Sequence, residues 1–408
     1  DVAALLGDRD ILRAEGRAPD ADLRLRVEAV RAARRRRSGG SGGVDVGTIR
    51  GQRVDRRGLG RALREARHWR RETGVGRREE WGAEELDAVG LLAALAFPDR
   101  VGHRREGSDG RYLLRNGRGA RFAEPQPLAR TEWLVAVEVD GRGPEARIFQ
   151  AAPVTLEEIR EHFGGQIEEI EEVVWDGEGQ IVRARRRRVL GALVLAEAPL
   201  RRPDPSRVAE ALVGGLREVG LGALPWDRET EQLRDRLSFL HGLEPGRWPD
   251  ASDDALLEEL ETWLTPFVAG MKRLSDLSSV DLDEALLSRV RFDDRRRLDA
   301  LAPTHVEVPS GSRIRVDYSD AASPALAVRL QEVFGMTETP RIVEGRVPLL
   351  MKLLSPAHRP VQVTTDLASF WRDAYFEVRK DLRGRYPKHP WPEDPLRAEP
   401  TRRTKRRS

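Results

Sequence analysis

The chain has 408 residues, 39% hydrophobic and 34% charged, with 71 basic against 68 acidic side chains for a formal charge of +3. That length predicts about two to four domains, and the apolar share is enough to give each a core. The absence of cysteine excludes disulfides and thiolate metal sites and fits a reducing cytoplasm; no apolar run approaches the ~18 residues of a membrane span, and no signal peptide is visible.

The kind of base is more telling than the balance. Only five lysines occur, so nearly every cation is arginine, whose planar fork of donors suits phosphate. A mutational bias towards arginine codons would give the same excess. The chain begins "DVAALLGDRDIL", without methionine and inside a predicted helix, and reads as the C-terminal part of something longer.

Residues 1–97 read as helices. In "DADLRLRVEAVRAARRRR", Leu23, Val27 and Val30 fall on one face, and "SGGSGG" (38–43) then breaks the pattern as a flexible loop. In "RRGLGRALREARHWRR", Leu59, Ala62, Leu63, Ala66 and Trp69 form the predicted buried side, and Arg57, Arg61, Arg64, His68 and Arg71 the opposite one. A further helix over 83–96 stops at Pro98. Residues 98–200 switch to strands. "GRYLLRNGRGARF" predicts a hairpin across Asn116-Gly117, and "EWLVAVEVDGRGPEARIFQAAPV" gives two more strands. "TLEEIREHFGG" is one short helix capped by Thr155. Strands then return, turning at Asp176–Gly179. Strands, one helix, then strands is the order of an OB-type barrel. Helices are predicted over 204–218, 227–241, 253–263 and 281–300. From 303 the pattern is mixed: a hairpin in "HVEVPSGSRIRVDY", a helix in "PALAVRLQEVFG", strands in "RIVEGRVPLLMKLLSP" and "RPVQVTT", then a helix in "DLASFWRDAYFEVRKDLRG".

Three stretches carry a resemblance: "PSGSRIRVDYSDAASPALAVRLQEVFG" (309–335), "EGRVPLLMKLLSPAHRPVQVTTDLASFWRDAYFEVRKDLRGRYPKHPWPEDP" (344–395) and "TRRTKRRS". Together they resemble the C-terminal domain of the HrpB-type bacterial ATP-dependent RNA helicases of the DEAH-box class. "LLAALAFPDRVGHRR" and "GRYLLRNGRGARF" are similar to the start of that family's OB-type region, and "LLGDRDILR" to its helicase-associated helical domain. The fold this implies is multidomain α+β: a helical helicase-associated domain (1–97), an OB-type β-barrel (98–200), a helical connector (201–265), a small α+β C-terminal domain (266–395) and a disordered basic tail (396–408). The family's motor is two RecA-like domains upstream, where ATP and Mg²⁺ are bound. This chain has no G-x-x-x-x-G-K-[ST]. Its one Asp-Glu of that kind, "DEAL" at 283–286, lies inside an amphipathic helix without a histidine and reads as structural. The resemblance therefore implies no cofactor in this chain and no ATP hydrolysis by it alone. Its partners would be single-stranded RNA, or DNA, and the motor domains of the same polypeptide, in the cytoplasm and away from membranes.

Three groups are candidate contacts to nucleic acid. Arg57, Arg61, Arg64, His68 and Arg71 share a helix face that could follow a phosphate backbone, or be merely solvated; in the resembled family this domain sits beside the translocating strand. In "RARRRRV" (183–189), Arg183, Arg185 and Arg187 point one way along a strand and Arg186 and Arg188 the other. They face either a bound strand or the acids of "EEIEEV" at 168–173. Tyr112, Phe122, Trp133 and Trp175 are the nearby aromatics that could stack bases. Arg402, Arg403, Lys405, Arg406 and Arg407 form a basic end that would bind phosphates non-specifically or only aid solubility. The ribbon "GRYPKHPWPEDP" either docks as P-x-x-P, stacks a base, or is pinned back onto the protein by Tyr386 and Trp391. The seven histidines are scattered, and Asp366 reads as a helix cap. Rival readings are a free-standing nucleic-acid-binding module and a nuclease-like enzyme in the C-terminal domain.

Overall fold

The chain divides into two units, Asp1–Glu172 with Arg185–Arg201, and Val173–Ala184 with Arg202–Ser408. The computed structural model describes residues 1–7, 9–14, 18–37, 46–74, 84–141, 143 and 145–403; the expected "SGGSGG" loop lies outside them.

The first unit opens with helices α1 (Val2–Leu6), α2 (Leu23–Arg37), α3 (Arg56–Thr73) and α4 (Glu84–Ala96). Between them runs a small sheet, β1 (Leu12–Arg13), β2 (Thr48–Ile49) and β3 (Gln52–Val54), in the order β1-β3-β2. Helices alone were expected here; strands of two or three residues are too short for alternation to show. Asp55 caps α3, accepting from Arg57 N at 3.0 Å, and Gly74 ends it in the left-handed region. Leu59, Ala62 and Ala66 are buried as the spacing requires, but Trp69 is 46% exposed. Periodicity identifies the inward side of a helix and not where the core ends, and here the buried stripe stops one turn before Trp69. Helix α4 lies against the barrel through Gly90, where a Cβ would stand 1.7 Å from the Pro153 carbonyl oxygen.

The barrel closes from β4 (Val101–Arg104), β5 (Arg111–Leu114), β6 (Gly119–Phe122), β7 (Trp133–Val139) and β8 (Glu145–Pro153), in the order β4-β5-β6-β8-β7. Only β6 and β8 run parallel. Its core holds Tyr112, Leu114, Leu134 and Ile148, with the Tyr112 hydroxyl donating to the Thr131 carbonyl at 2.8 Å. The predicted turn at Asn116-Gly117 forms with Gly117 at φ 83°. Helix α5 (Leu156–Phe163) carries the predicted Thr155 cap, completed by Glu158 into a reciprocal capping box. The sequence order suggested that strands after this helix complete the barrel. Instead all five barrel strands precede α5, and β9 (Glu168–Asp176), β10 (Ile181–Leu190) and β11 (Leu193–Pro199) form a separate sheet in the order β11-β10-β9.

The second unit begins with helices α6 (Pro205–Val219) and α7 (Arg228–Leu243). The end of the β9–β10 hairpin belongs to it: Trp175 packs on α6 so closely that a Cβ on Gly215 would come within 2.2 Å of the indole. Two expected helices are each broken in two, into α8 (Asp253–Glu258) and α9 (Leu260–Leu264), and α10 (Leu282–Ser288) and α11 (Phe292–Leu301). Strands β12 (His305–Glu307), β13 (Arg313–Asp317) and β14 (Ala325–Arg329) follow, then the pair β15 (Arg341–Ile342) and β16 (Val347–Pro348), then β17 (Leu350–Leu354) and β18 (Pro360–Thr364). The main sheet has the order β12-β13-β14-β17-β18. "PALAVRLQEVFG" was expected as a helix; it is β14 and one 3₁₀ turn, Leu330–Val333. Leu326, Val328 and Leu330 are all buried at the strand period of two, and a short apolar run on a central strand imitates a buried helix. The chain closes with α12 (Leu367–Ser369), a π-helical turn over Phe370–Ala374, and α13 (Tyr375–Arg385). Asp366 caps α12 through Ser369 N at 2.9 Å, as expected.

Two features lock the C-terminal domain. The proline ribbon is pinned back: Trp391 is 7% exposed and donates to the Tyr386 carbonyl at 2.9 Å, and Tyr375 donates to the Pro392 carbonyl at 2.8 Å. The following segment was expected to be disordered from 396. It is laid down as far as Thr401, whose N–H donates to the Gln331 carbonyl at 2.9 Å, while Gly335 N donates to the Pro395 carbonyl at 3.0 Å. Beside this contact Glu332 is 4% exposed and accepts from Arg329 at 2.8 Å, Ser310 at 3.0 Å and Ser312. Burial alone would raise this carboxyl, but hydrogen bonds from Ser312, Arg329 and Ser310 outweigh it and hold it below its ordinary 4.5. The folded value is the lower one, so the stabilisation is complete above about 4.5 and is lost as pH falls through the folded value. Glu332→Gln is expected to cost about 2 kcal/mol near neutral pH and to flatten the acid limb of the stability profile. Thermal unfolding between about pH 3 and 7 checks both; a variant as stable as the parent at every pH would refute the assignment.

Candidate nucleic-acid interface

Helix α3 presents the arginine face that its spacing predicts. Arg57, Arg61, Arg64, His68 and Arg71 are all exposed, opposite the buried Leu59, Ala62 and Ala66. Arg70, off this face, reaches Asp1 at 2.8 Å. The face lies entirely in the first unit and carries arginine at 57, 61, 64 and 71.

Strand β10 behaves differently. Arg185 reaches Glu197 at 2.8 Å and Glu172 at 3.9 Å, and Arg187 bridges Glu172 and Glu197, each at 2.8 Å. Arg186, on the other side, pairs with Glu169 at 3.3 Å and Glu171 at 3.5 Å. Arg183 pairs with Asp176 at 2.5 Å. Pairing with the acids of 168–173 was one of the two readings of this strand. The partner missing from it is Glu197, which β11 brings opposite Arg187 in register. Bonds from Arg185 and Arg187 hold the Glu197 carboxyl below its ordinary value, and the bond from Arg183 does the same to Asp176. The strand's charge is largely spent on its neighbours in the sheet.

The aromatics near the barrel are not open platforms. Tyr112, Phe122 and Trp133 are buried and Trp175 is half-buried. One ring that periodicity missed does reach the surface: His103 stacks on Trp133 with centroids 4.0 Å apart and planes 16° apart. It borders a cleft of about 590 Å³ along the β4–β5 loop. There Glu106, Asp109 and Glu132 outnumber Arg104 and Arg105, a balance that does not favour phosphate.

Arg402 and Arg403 are exposed; Lys405, Arg406 and Arg407 lie outside the described residues. "DEAL" occupies the first turn of α10, where Asp281 caps the helix through Glu284 N at 3.0 Å and Glu284 lies 3.5 Å from Arg295. Acids in a first helical turn are favoured by the helix dipole, which is a structural role. The sequence has no phosphate loop, and among the described residues no group of three or more His, Asp or Glu could hold a metal ion. Among the same residues no helix is long and apolar enough to cross a membrane.

Two family models match. One, described as ATP-dependent helicase C-terminal, covers 263–395, and the other, the connector region of ATP-dependent RNA helicase HrpB, covers 166–200. The ATP-dependent RNA helicase HrpB of Escherichia coli (strain K12) is 42% identical over 330 residues, 80% of this chain and 41% of that protein. A crystal structure of the E. coli DExH-box NTPase HrpB aligns over 99% of this chain and 45% of its own at 37% identity and a TM-score of 0.49. A second, of the Escherichia coli DEAH/RHA helicase HrpB, aligns over 96% and 44% at 32% identity and a TM-score of 0.43. The matched regions are similar to the connector and C-terminal regions of ATP-dependent helicases of the HrpB type. More particularly, the chain corresponds to the C-terminal part of an HrpB-type protein. It spans about two fifths, 41%, of the curated relative's length.

The ion pairs of β10 yield a direct expectation. Replacing Arg185 and Arg187 by glutamine leaves Glu172 and Glu197 without their guanidinium partners. Stability should fall by no more than about 1 kcal/mol, since the pairs are partly exposed. The salt dependence of RNA affinity should stay at the parent slope. A slope lower by about 1.4, two contacts at about 0.7 each for a single strand, would instead place these arginines on the RNA.

Proposed function

We propose that this chain is the accessory region of an ATP-dependent DEAH-box RNA helicase, which guides single-stranded RNA past the motor and holds the motor domains in register. The exposed arginine face of α3 carries the reading. On strand β10 the guanidiniums of Arg183, Arg185, Arg186 and Arg187 are matched by Asp176, Glu169, Glu171, Glu172 and Glu197, whereas Arg57, Arg64 and Arg71 are exposed along one side of α3. Arg402 and Arg403, with Lys405, Arg406 and Arg407 beyond them, add a second, diffuse contact. The barrel strand order β4-β5-β6-β8-β7, with β6 and β8 parallel, supports an OB-type reading of the region after residue 98. In this reading the RecA-like motor domains of the same polypeptide bind ATP and Mg²⁺ and act in the cytoplasm.

Each phosphate contact displaces condensed counterions, and for a single strand the logarithm of affinity falls with that of salt by about 0.7 per contact. Changing Arg57, Arg61, Arg64 and Arg71 together to glutamine should lower that slope by almost three and weaken all sequences alike. These side chains are exposed, so unfolding should be unaffected; an unchanged slope would remove α3 from the RNA path. The purified chain is also expected to show no RNA-stimulated ATP hydrolysis. Turnover that persists after further purification would overturn the assignment of the motor to another part of the polypeptide.

A further inference from the structure

The last helix carries a pattern used neither by the core nor by the contacts above. Its inward side is fixed by Phe370, Trp371, Tyr375 and Leu382, all buried. On its outward side Phe376 is 49% exposed. Lys380 and Arg383 follow it at i+4 and i+7, and Arg372 precedes it by four residues across the π-helical turn; all three are exposed. Positions three and four apart share a helix face, so the ring and the cations form one stripe.

The charges on this stripe are left over in a way that their neighbours' are not. Arg379 donates to the Trp391 carbonyl at 3.0 Å and lies 3.4 Å from Glu393; Arg385 pairs with Asp381 at 3.1 Å. Among the described residues Arg372, Lys380 and Arg383 make no ion pair. Phe376 touches Tyr375 in an edge-to-face contact, with centroids 5.7 Å apart and planes at 68°.

We infer that this stripe, Arg372, Phe376, Lys380 and Arg383, is a binding site for single-stranded nucleic acid in the C-terminal domain. The inference rests on the RNA-guiding reading and adds a further point of contact to it. Unmatched cations along a helix attract a polyanion, and an exposed ring between them offers a stacking surface that a single strand, with its bases free, can use and a duplex cannot. A protein partner fits less well: a single ring among three cations lacks the apolar, charge-depleted centre of a protein interface.

The test uses the whole chain and a fluorescent oligouridylate, titrated at several salt concentrations, with a blunt duplex of equal length beside it. Changing Arg372, Lys380 and Arg383 to glutamine should lower the salt slope by about two. Phe376→Ala should weaken binding about tenfold at every salt concentration with the slope unchanged, and Phe376→Trp should restore it, as stacking requires. The duplex should lose affinity with the cation variant and show no response to the ring. If the slope and the Phe376→Ala affinity both match the parent while α3 variants still lower the slope, the stripe is not on the RNA and serves a protein surface or solvent; only this inference then fails. If the parent chain does not bind oligouridylate, the RNA-guiding reading fails with it.

Discussion

The constraint on which the rest of this structure depends is the pairing of arginine. A chain with 71 basic residues, nearly all of them arginine, and 68 acidic ones cannot bury a guanidinium without an acceptor, because an uncompensated buried charge is far more costly than an exposed one. The fold meets this repeatedly. Arg26, 1% exposed, is held by Asp10 at 2.6 Å and by the Asp22 carbonyl at 2.9 Å. Arg236, 5% exposed, donates to the Ala302 carbonyl at 2.6 Å and to Asp299. Arg247 holds Asp294, whose carboxyl is kept below its ordinary value by that bond. Guanidinium is suited to the task because its fork satisfies two acceptors at once.

The same rule sorts the surface. On β10 the sheet supplies acids from both neighbouring strands, so four of the five arginines at 183–188 pair across strands and the repulsion expected of like charges is reduced locally. Along the outer face of α13, among the described residues, Arg372, Lys380 and Arg383 have no such ladder. The distinction between paired and unpaired arginine on these elements is therefore topological. It depends on whether a neighbouring element brings acids into register, and residue density alone is a poor guide to it. In the densest run, 183–188, Arg183, Arg185, Arg186 and Arg187 are all paired.

This also explains what could be read in advance. Caps and turns were legible because each is a local device: Asn116-Gly117, Thr155 with Glu158, and Asp366 form as their chemistry requires. So was the inward side of α3 and of the last helix. The identity of β14 was not, because "PALAVRLQEVFG" satisfies both periods and only its neighbours β13 and β17 decide between them. The end of the barrel was not legible either: the closure of β4 on β7 is a pairing over thirty residues apart, whereas the order of strands around α5 is all that a sequence displays. Of the candidate site, the α3 face was visible from spacing and the role of Glu197 was not, since it arrives from a third strand. The stripe on α13 was hidden by a helix otherwise read for its core.

The C-terminal domain shows how such leftover surfaces become reliable. The ribbon 386–395 has few backbone donors to give, yet Trp391, Tyr375 and Arg379 fasten it through carbonyls that proline leaves available. The segment beyond it is then held at Thr401 by the 3₁₀ turn that carries Glu332. Each of these anchors faces inward or along the ribbon. Helix α13 is thereby fixed on one side by Tyr375, Leu382 and the ribbon itself, and its other side is presented rigidly. A rigid face loses little entropy when a flexible strand settles on it, so a few exposed cations and one ring suffice for binding that is sequence-independent and reversible. That combination is what the proposed RNA-guiding role would require of this face.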